Sequence, residues 1–384
     1  MQDTQRDLKM NNKPIRVLQI IGIVCGGGVE AVIMNYYRHI DRSKVQFDFV
    51  VDGFERTQLD DEIEAMGGQV YHVTPYRKNV FSYMKEIATI IRENHYEIVH
   101  SNMNTLACFS LFAAWCADAN VRILHNHSMA VSQEGLRSVL KYILRPFSKM
   151  FANHYFACSI LSGEWMYGSQ KMKTGEVKIL NNAIDVDKFL YNEKVRQELR
   201  KELGIAEDDF VVGHIGRFMF QKNHAFLLDI FAAVHKVNKK AKLVLVGDGE
   251  LRPEMEEKAK TLGIDDSVMF LGLRKDTARL YNIMDVFVLP SWYEGLPVVS
   301  VEAQANGLTC LLSDRIAKES KLVDNVEFLK LEIGAKGWAD RILAESIQRE
   351  NGVKEKLEAR GFSVKKETHA LEEFYSTAVY SSWL

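Results

Sequence analysis

Phe210-Val211-Val212-Gly213-His214-Ile215 is a short β-rich run, and Gly216-Arg217-Phe218-Met219-Phe220-Gln221-Lys222-Asn223 follows it as a loop that opens a helix over His224–Lys236. A strand, a glycine-led loop and a helix in that order begin a doubly wound unit. This opening sits in mid-chain, and the same opening occurs once before: Arg16–Ile23 is β-rich, Gly26-Gly27-Gly28 is the loop, and Val29–Ile40 has helical spacing. After the first opening, strands are predicted at Phe47–Val51, Gln69–Val73, Ile98–Ser101, Val121–His125 and Tyr155–Ser159. Helices alternate with them at Glu62–Met66, Phe81–Asn94, Leu106–Ala117 and Leu136–Phe151. After the second, strands at Lys242–Val246, Val268–Leu271, Val286–Leu289 and Thr309–Ser313 alternate with helices at Glu250–Leu262, Thr277–Met284 and Val298–Asn306. The rhythm pauses over Ile179–Phe189 and the charged stretch Asn192–Glu202. The fold class expected is therefore α/β, two Rossmann-like doubly wound parallel-sheet domains over 1–188 and 189–366, facing across a cleft. A last helix-like stretch, Glu367–Tyr380 within 367–384, can dock on either unit, the first domain included.

Composition narrows the function. The 384 residues carry 49 Lys+Arg against 51 Asp+Glu, a net charge of −2, which does not suit a nucleic-acid partner. Five cysteines (Cys25, Cys108, Cys116, Cys158 and Cys310) are odd in number and none has C-x-x-C spacing, so neither a disulfide framework nor structural zinc is expected. No apolar run reaches the ~18 residues of a spanning helix, and Met1–Asn12 lacks the apolar core of a signal peptide. A cytoplasmic protein is expected.

Ligands of open α/β sheets bind beyond the carboxyl ends of the strands, so candidate residues are sought just after strands. Gly26-Gly27-Gly28-Val29-Glu30-Ala31 allows close backbone approach to a phosphate at a helix N-terminus. It also matches G-x-G-x-x-A, with Asp52 near the place of a ribose-binding acid, which keeps an NAD(P)-linked oxidoreductase open. Arg217 and Lys222, five residues apart in one loop, can reach a single diphosphate. Pro290-Ser291-Trp292-Tyr293-Glu294-Gly295-Leu296-Pro297 leads into the helix that carries Glu302, and a carboxylate on that apolar face needs a partner such as a ribose diol. His100, His125 and His127 gather at strand ends without the spacing of a metal set, and buried or capping histidines are the alternative. Asp185-Val186-Asp187 resembles a metal-binding D-x-D but lies in the connector. Arg137, Lys141, Arg145 and Lys149 recur every four residues beside Leu136, Leu140, Ile143, Leu144 and Phe147. That pattern fits either an interfacial helix on anionic lipid or a sheet-covering helix with a basic outer face, and Pro146 is expected to kink it.

Taken together, these segments resemble the family-4 retaining glycosyltransferases of the GT-B fold, above all those of exopolysaccharide and capsule biosynthesis. The resemblance runs from Ile15 to about Asp324 and rests on Gly27-Gly28-Val29-Glu30, Ile179–Phe189, Gly216–Asn223, Val246–Leu251, Phe270-Leu271-Gly272 and the pair Glu294 and Glu302. It implies a UDP- or GDP-sugar donor, a hexose-type sugar, a lipid-linked saccharide acceptor, and no metal or other cofactor, while an anionic membrane surface is expected from the cation repeat alone. Arg217 and Lys222 would hold the diphosphate with help from Gly27 and Gly28. The Leu273 backbone would meet the base and Glu302 the ribose, while Glu294 and the backbone of the Gly295-Leu296-Pro297-Val298 turn, through its amides, would hold the sugar and phosphates. His127 would lie near the sugar, with His100 and His125 on the acceptor side; His127, Glu294, Arg217 and Lys222 form the expected catalytic set. Ala183 stands where the family has Gly in N-G-I-D. A non-catalytic nucleotide-sugar-binding partner is the remaining alternative.

Overall fold

A computed structural model describes residues 13–22, 28–128, 136–344 and 348–381. The chain divides into two units, the first comprising 1–181 and 364–384 and the second 182–363. The first unit holds a seven-stranded sheet, β1 (Ile15–Gly22), β2 (Val45–Asp52), β3 (Val70–Val73), β4 (Ile98–Ser101), β5 (Val121–Asn126), β6 (His154–Ala157) and β7 (Val177–Ile179). Its spatial order is β3-β2-β1-β4-β5-β6-β7 and every pairing is parallel. The second holds β8 (Phe210–Ile215), β9 (Ala241–Val246), β10 (Val268–Phe270), β11 (Val286–Leu289), β12 (Thr309–Ser313) and β13 (Val326–Leu329), also parallel, in the order β10-β9-β8-β11-β12-β13. Central strands such as β2 and β11 are buried along their whole length. A parallel strand covered by helices on both faces is apolar on both, which is why β11 reads as a continuous run, whereas β2 also buries Gln46 and Asp48, the latter paired with Arg16.

The edge strands β7 and β13 are absent from the sequence expectation. β7 has three residues with an exposed Lys178 in the middle, and β13 carries Glu327, so neither shows a β-rich run. The helix expected over 62–66 starts earlier, at Gln58, because Thr57 caps it: the Thr57 hydroxyl accepts from Leu59 N at 3.2 Å and Asp60 accepts from Thr57 N at 2.8 Å. The division between units falls before Asn182 rather than at 188/189. Ile184 N donates to Phe362 O at 3.0 Å and Asn182 Nδ2 to Leu296 O at 2.7 Å, which ties the connector to the second unit. The last helix, Val364–Ser381, packs on the helix Gly28–His39 of the first unit, where Phe374 meets Phe156 (4.9 Å between centroids) and Tyr375 meets Phe47 (5.9 Å).

Below the second sheet a buried charge cluster fastens the helix Glu193–Glu202. Asp285 accepts from Arg196 Nη2 at 2.6 Å, Arg200 Nη2 at 2.8 Å and Val211 N at 2.7 Å, and Arg200 also donates to the carbonyls of Ile283, Ala206, Glu207 and Asp209. Removing one partner of a desolvated pair strands the other. Asp285→Ala is expected to destabilise the protein by about 3–5 kcal/mol in urea unfolding; a loss of about 1 kcal/mol or less, the worth of an exposed pair, would contradict the assignment.

Candidate functional site

In the second sheet the strand order reverses between β8 and β11, so the loops that leave these neighbours diverge and open a crevice at their carboxyl ends. Arg217 and Lys222 lie in the loop after β8, and Glu294 in the loop after β11. The two loops are laced together: Trp292 N donates to Gln221 O at 2.9 Å, Gln221 Nε2 to Tyr293 O at 3.0 Å and Asn223 Nδ2 to Pro290 O at 3.0 Å. That lacing brings Lys222 Nζ to 2.6 Å from Glu294 Oε1, with the side chains 14% and 11% exposed. Ser291 Oγ donates to the same oxygen at 3.3 Å, and Ala317 N bonds the Glu294 carbonyl at 3.2 Å. Arg217 is exposed at the head of its loop. Its neighbour Phe218 is held by the 247–251 loop, where a Cβ on Gly247 would meet Gly216 O at 2.2 Å and one on Gly249 would meet Phe218 O at 2.5 Å. Both glycines have positive φ, so the close approach and the backbone shape each exclude a side chain.

Beyond Glu294 the chain passes through Gly295, Leu296 and Pro297 into the helix Val298–Ala305, whose first turn has no side-chain cap. Its amides and positive end suit an anion. One turn on, Glu302 Oε2 accepts from Tyr281 Oη at 2.7 Å, and burial pushes the Glu302 carboxyl up to about 7, against the opposing effect of that hydrogen bond. Leu273 follows β10 with its side chain 80% exposed, next to Gly272, whose carbonyl accepts from Gly247 N at 2.9 Å. Lys222 and Glu294 are thus in contact, and the Gly295–Val298 turn leads directly from Glu294 into the helix that carries Glu302. Among the described residues no group of three or more His, Cys, Asp or Glu side chains is placed to hold a metal ion. Asp187 of the D-x-D sequence instead pairs with Lys354 at 2.5 Å.

In the first unit Gly28 begins its helix, while Gly27 and the remaining loop glycine Gly26 lie outside the described residues. His100 and His125 are buried, His127 partly so. His100 Nε2 lies 3.2 Å from His125 Nδ1, the His125 and His127 rings are 3.9 Å apart, and His127 Nε2 is 3.0 Å from Asn102 Oδ1. Desolvation lowers all three, His100 and His127 to about 3, so each ring is neutral near pH 7. Asp52 is buried and accepts from Tyr76 N at 3.1 Å. Asn102 and Tyr281 were missed from sequence. Asn102 directly follows β4, a position that could have flagged it, whereas Tyr281 is 21 residues from Glu302 and gives no local signal.

The helix Leu136–Phe151 runs through Pro146, and its exposed face is apolar rather than basic. Val139, Leu140, Tyr142, Ile143, Phe147 and Met150 are each 47–66% exposed. Lys141, Arg145 and Lys149 are partly buried, with Arg145 over the Trp165 ring at 5.6 Å, and the Arg137 side chain lies outside the described residues. No described helix is long and apolar enough to cross a membrane.

Glu302 supplies a pH test. Its folded carboxyl is raised from 4.5 to about 7, so the folded state holds a proton that the unfolded state releases. The stability it contributes is complete below pH 4.5 and is lost as pH rises through about 7. Urea unfolding of Glu302→Gln should lack that decline; parallel wild-type and variant curves across this range would refute it.

Residues 195–342 match the family Glycosyl transferases group 1, and residues 26–188 match Glycosyltransferase Family 4. EpsF of Bacillus subtilis (strain 168), assigned as a glycosyltransferase, is 34% identical over 376 residues, covering 96% of this chain and 98% of EpsF. The Staphylococcus aureus capsular polysaccharide biosynthesis glycosyltransferase CapH is 22% identical over 372 residues, covering 94% and 98%. Among solved structures, Anabaena Alr3699/HepE in complex with UDP and glucose superposes with a TM-score of 0.76 at 20% identity, covering 94% of this chain and 99% of that one. Glycosyltransferase matches on both halves of the chain set aside the oxidoreductase reading of Gly26–Ala31 and Asp52. With a relative this similar along almost its entire length, the chain belongs to the family-4 glycosyltransferases of the GT-B fold, of the exopolysaccharide and capsule-biosynthesis type.

Proposed function

We propose that this glycosyltransferase moves a hexose-type sugar from a UDP- or GDP-sugar to a lipid-linked saccharide, with retention of configuration and without a metal ion. The observation that carries the reading is the Lys222–Glu294 pair at 2.6 Å, set at the strand-order reversal beside an uncapped helix N-terminus. The UDP and glucose in the HepE structure favour a uridine donor. As the bond from the anomeric carbon to the β-phosphate oxygen breaks, negative charge grows on the diphosphate. Lys222, Arg217 and the first-turn amides of Val298–Ala305 stabilise it from fixed positions. The acceptor hydroxyl attacks from the face the diphosphate leaves, and its proton passes to the departing phosphate oxygen. Glu294 keeps Lys222 positioned before the donor arrives, and the Glu302 carboxyl is a partner for the ribose diol.

Purified protein assayed for nucleotide release from a panel of UDP- and GDP-sugars with saccharide acceptors tests this. Lys222→Ala and Arg217→Ala should each lower kcat by about 10²–10³, the usual cost of one such group, and EDTA should leave turnover intact. Wild-type rates in both variants would overturn the site, and donor binding with no turnover on any acceptor would favour a non-catalytic partner.

The lipid-linked acceptor rests on the helix Leu136–Phe151. Its outward apolar stripe with flanking cations suits the boundary of an anionic bilayer. Flotation with anionic liposomes should show binding that weakens with salt and is lost in the Val139→Ser, Ile143→Ser, Phe147→Ser triple variant. Equal flotation of the variant would remove the membrane from the proposal.

A further inference from the structure

The connector Ile179–Phe189 takes no part in the chemistry proposed above, yet one of its side chains reaches the turn that does. Asn182 lies just beyond the end of β7, is 7% exposed, and donates from Nδ2 to the Leu296 carbonyl at 2.7 Å. A carbonyl only accepts, so the nitrogen end of the amide must face it, and Oδ1 is left buried without a partner. The connector gives Asn182 a fixed seat. The carbonyl of Asn181 accepts from Tyr36 Oη at 2.9 Å, Ala183 and Ile184 are wholly buried, and Ile184 N donates to Phe362 O at 3.0 Å.

The bond matters because of where it lands. The peptide between Leu296 and Pro297 has no N–H, so its carbonyl is its single polar handle. Neighbouring carbonyls are held by other donors: Tyr293 O by Gln221 Nε2 at 3.0 Å, Glu294 O by Ala317 N at 3.2 Å and Pro297 O by Ser300 N at 3.0 Å. Leu296 O has Asn182. The proline ring then locks φ of Pro297, here −70°, so a pinned peptide plane before it sets the direction of the backbone that opens the helix Val298–Ala305. Without the asparagine, that plane is free to turn, and the amides of the first turn lose their aim.

We propose that Asn182 is a positioning residue for the diphosphate: by holding the Leu296 carbonyl, it keeps the first-turn amides of Val298–Ala305 directed at the phosphates of the donor. This rests on the proposed function for the identity of the anion. Asn182 touches no reacting atom. It acts through one backbone carbonyl, and it does so from the first residue of the second unit.

Titration calorimetry of the full chain with UDP, and with GDP beside it, tests this on the wild type, Asn182→Ala and Asn182→Asp. Asn182→Ala removes the donor without adding charge and should weaken nucleotide binding several-fold. Asn182→Asp keeps the shape but sets a carboxylate against a carbonyl, and should weaken binding further at alkaline pH. As pH falls, the buried aspartate takes up a proton and becomes a donor again. Its affinity relative to wild type should then climb above that of Asn182→Ala, whose ratio stays level. Asp185, Asp187, Lys188 and Glu294, the charged groups of the connector and the turn, are present in every variant, so the ratio cancels their titration. If the cavity left by alanine unfolds the protein, Asn182→Leu takes its place. Wild-type affinity in Asn182→Ala, or an Asn182→Asp ratio that never exceeds it, would overturn the proposal. Calorimetry needs no turnover: a protein that binds UDP with this dependence on Asn182 but transfers nothing keeps the positioning role while the transferase reading falls. An active enzyme indifferent to Asn182 does the reverse, and a wild type that binds neither nucleotide removes both.

Discussion

A sheet built only of parallel strands must send every connection back across one of its faces, and where the strand order reverses the flanking connections leave on opposite sides. At that point the loops that follow the two strands diverge. In the second unit this is the gap between β8 and β11, and the loops bearing Lys222 and Glu294 are the two that border it. The site is therefore a by-product of connectivity before it is a matter of side chains. What the sequence adds is lacing. Gln221, Asn223 and Trp292 bond across the gap, so a lysine and a carboxylate 72 residues apart are held at contact distance by a short, rigid bridge.

Charge is handled differently at each depth of the unit. At the surface end, Lys222 and Glu294 meet each other and remain slightly exposed. At the opposite end of β8, Asp285 is fully enclosed and carries two guanidinium partners and a backbone amide. In the enclosed cluster both guanidinium groups also bond backbone carbonyls, and it serves to anchor a helix. The partly open pair has capacity left for a ligand, because an ammonium has three protons and one carboxylate oxygen occupies only one of them. Glu302 bonds Tyr281 through one oxygen only.

Most of the fold was legible because parallel strands between helices are apolar on both faces and the connecting loops begin with glycine; the restart at Phe210 alone implied a second sheet. The edge strands β7 and β13 were not legible, since an edge needs only one apolar face and these are three and four residues long. The loop positions of Arg217, Lys222, Glu294 and Glu302 could be read from their distance beyond a strand. Their partners could not: Tyr281 reaches Glu302, and Tyr375 reaches His100, through tertiary packing that leaves no spacing rule in the chain. The four-residue cation repeat in Leu136–Phe151 fits an interfacial helix or a sheet-covering one with a basic outer face, and the second is not what the structure has: the interleaved apolar residues are the exposed ones, since periodicity defines faces without saying which one is covered.

The last helix belongs to the first unit although the whole second unit precedes it in the chain. During synthesis, the ribosome delivers residues 182–363 complete before it delivers Tyr375, Phe374 and Leu371. Until then Phe47, Phe156 and His100 stand uncovered, so the N-terminal half finishes maturing after the C-terminal half. Nascent chains stalled before residue 364 would present that open apolar surface to chaperones, and a premature stop codon just before Val364 would damage the first unit more than the second.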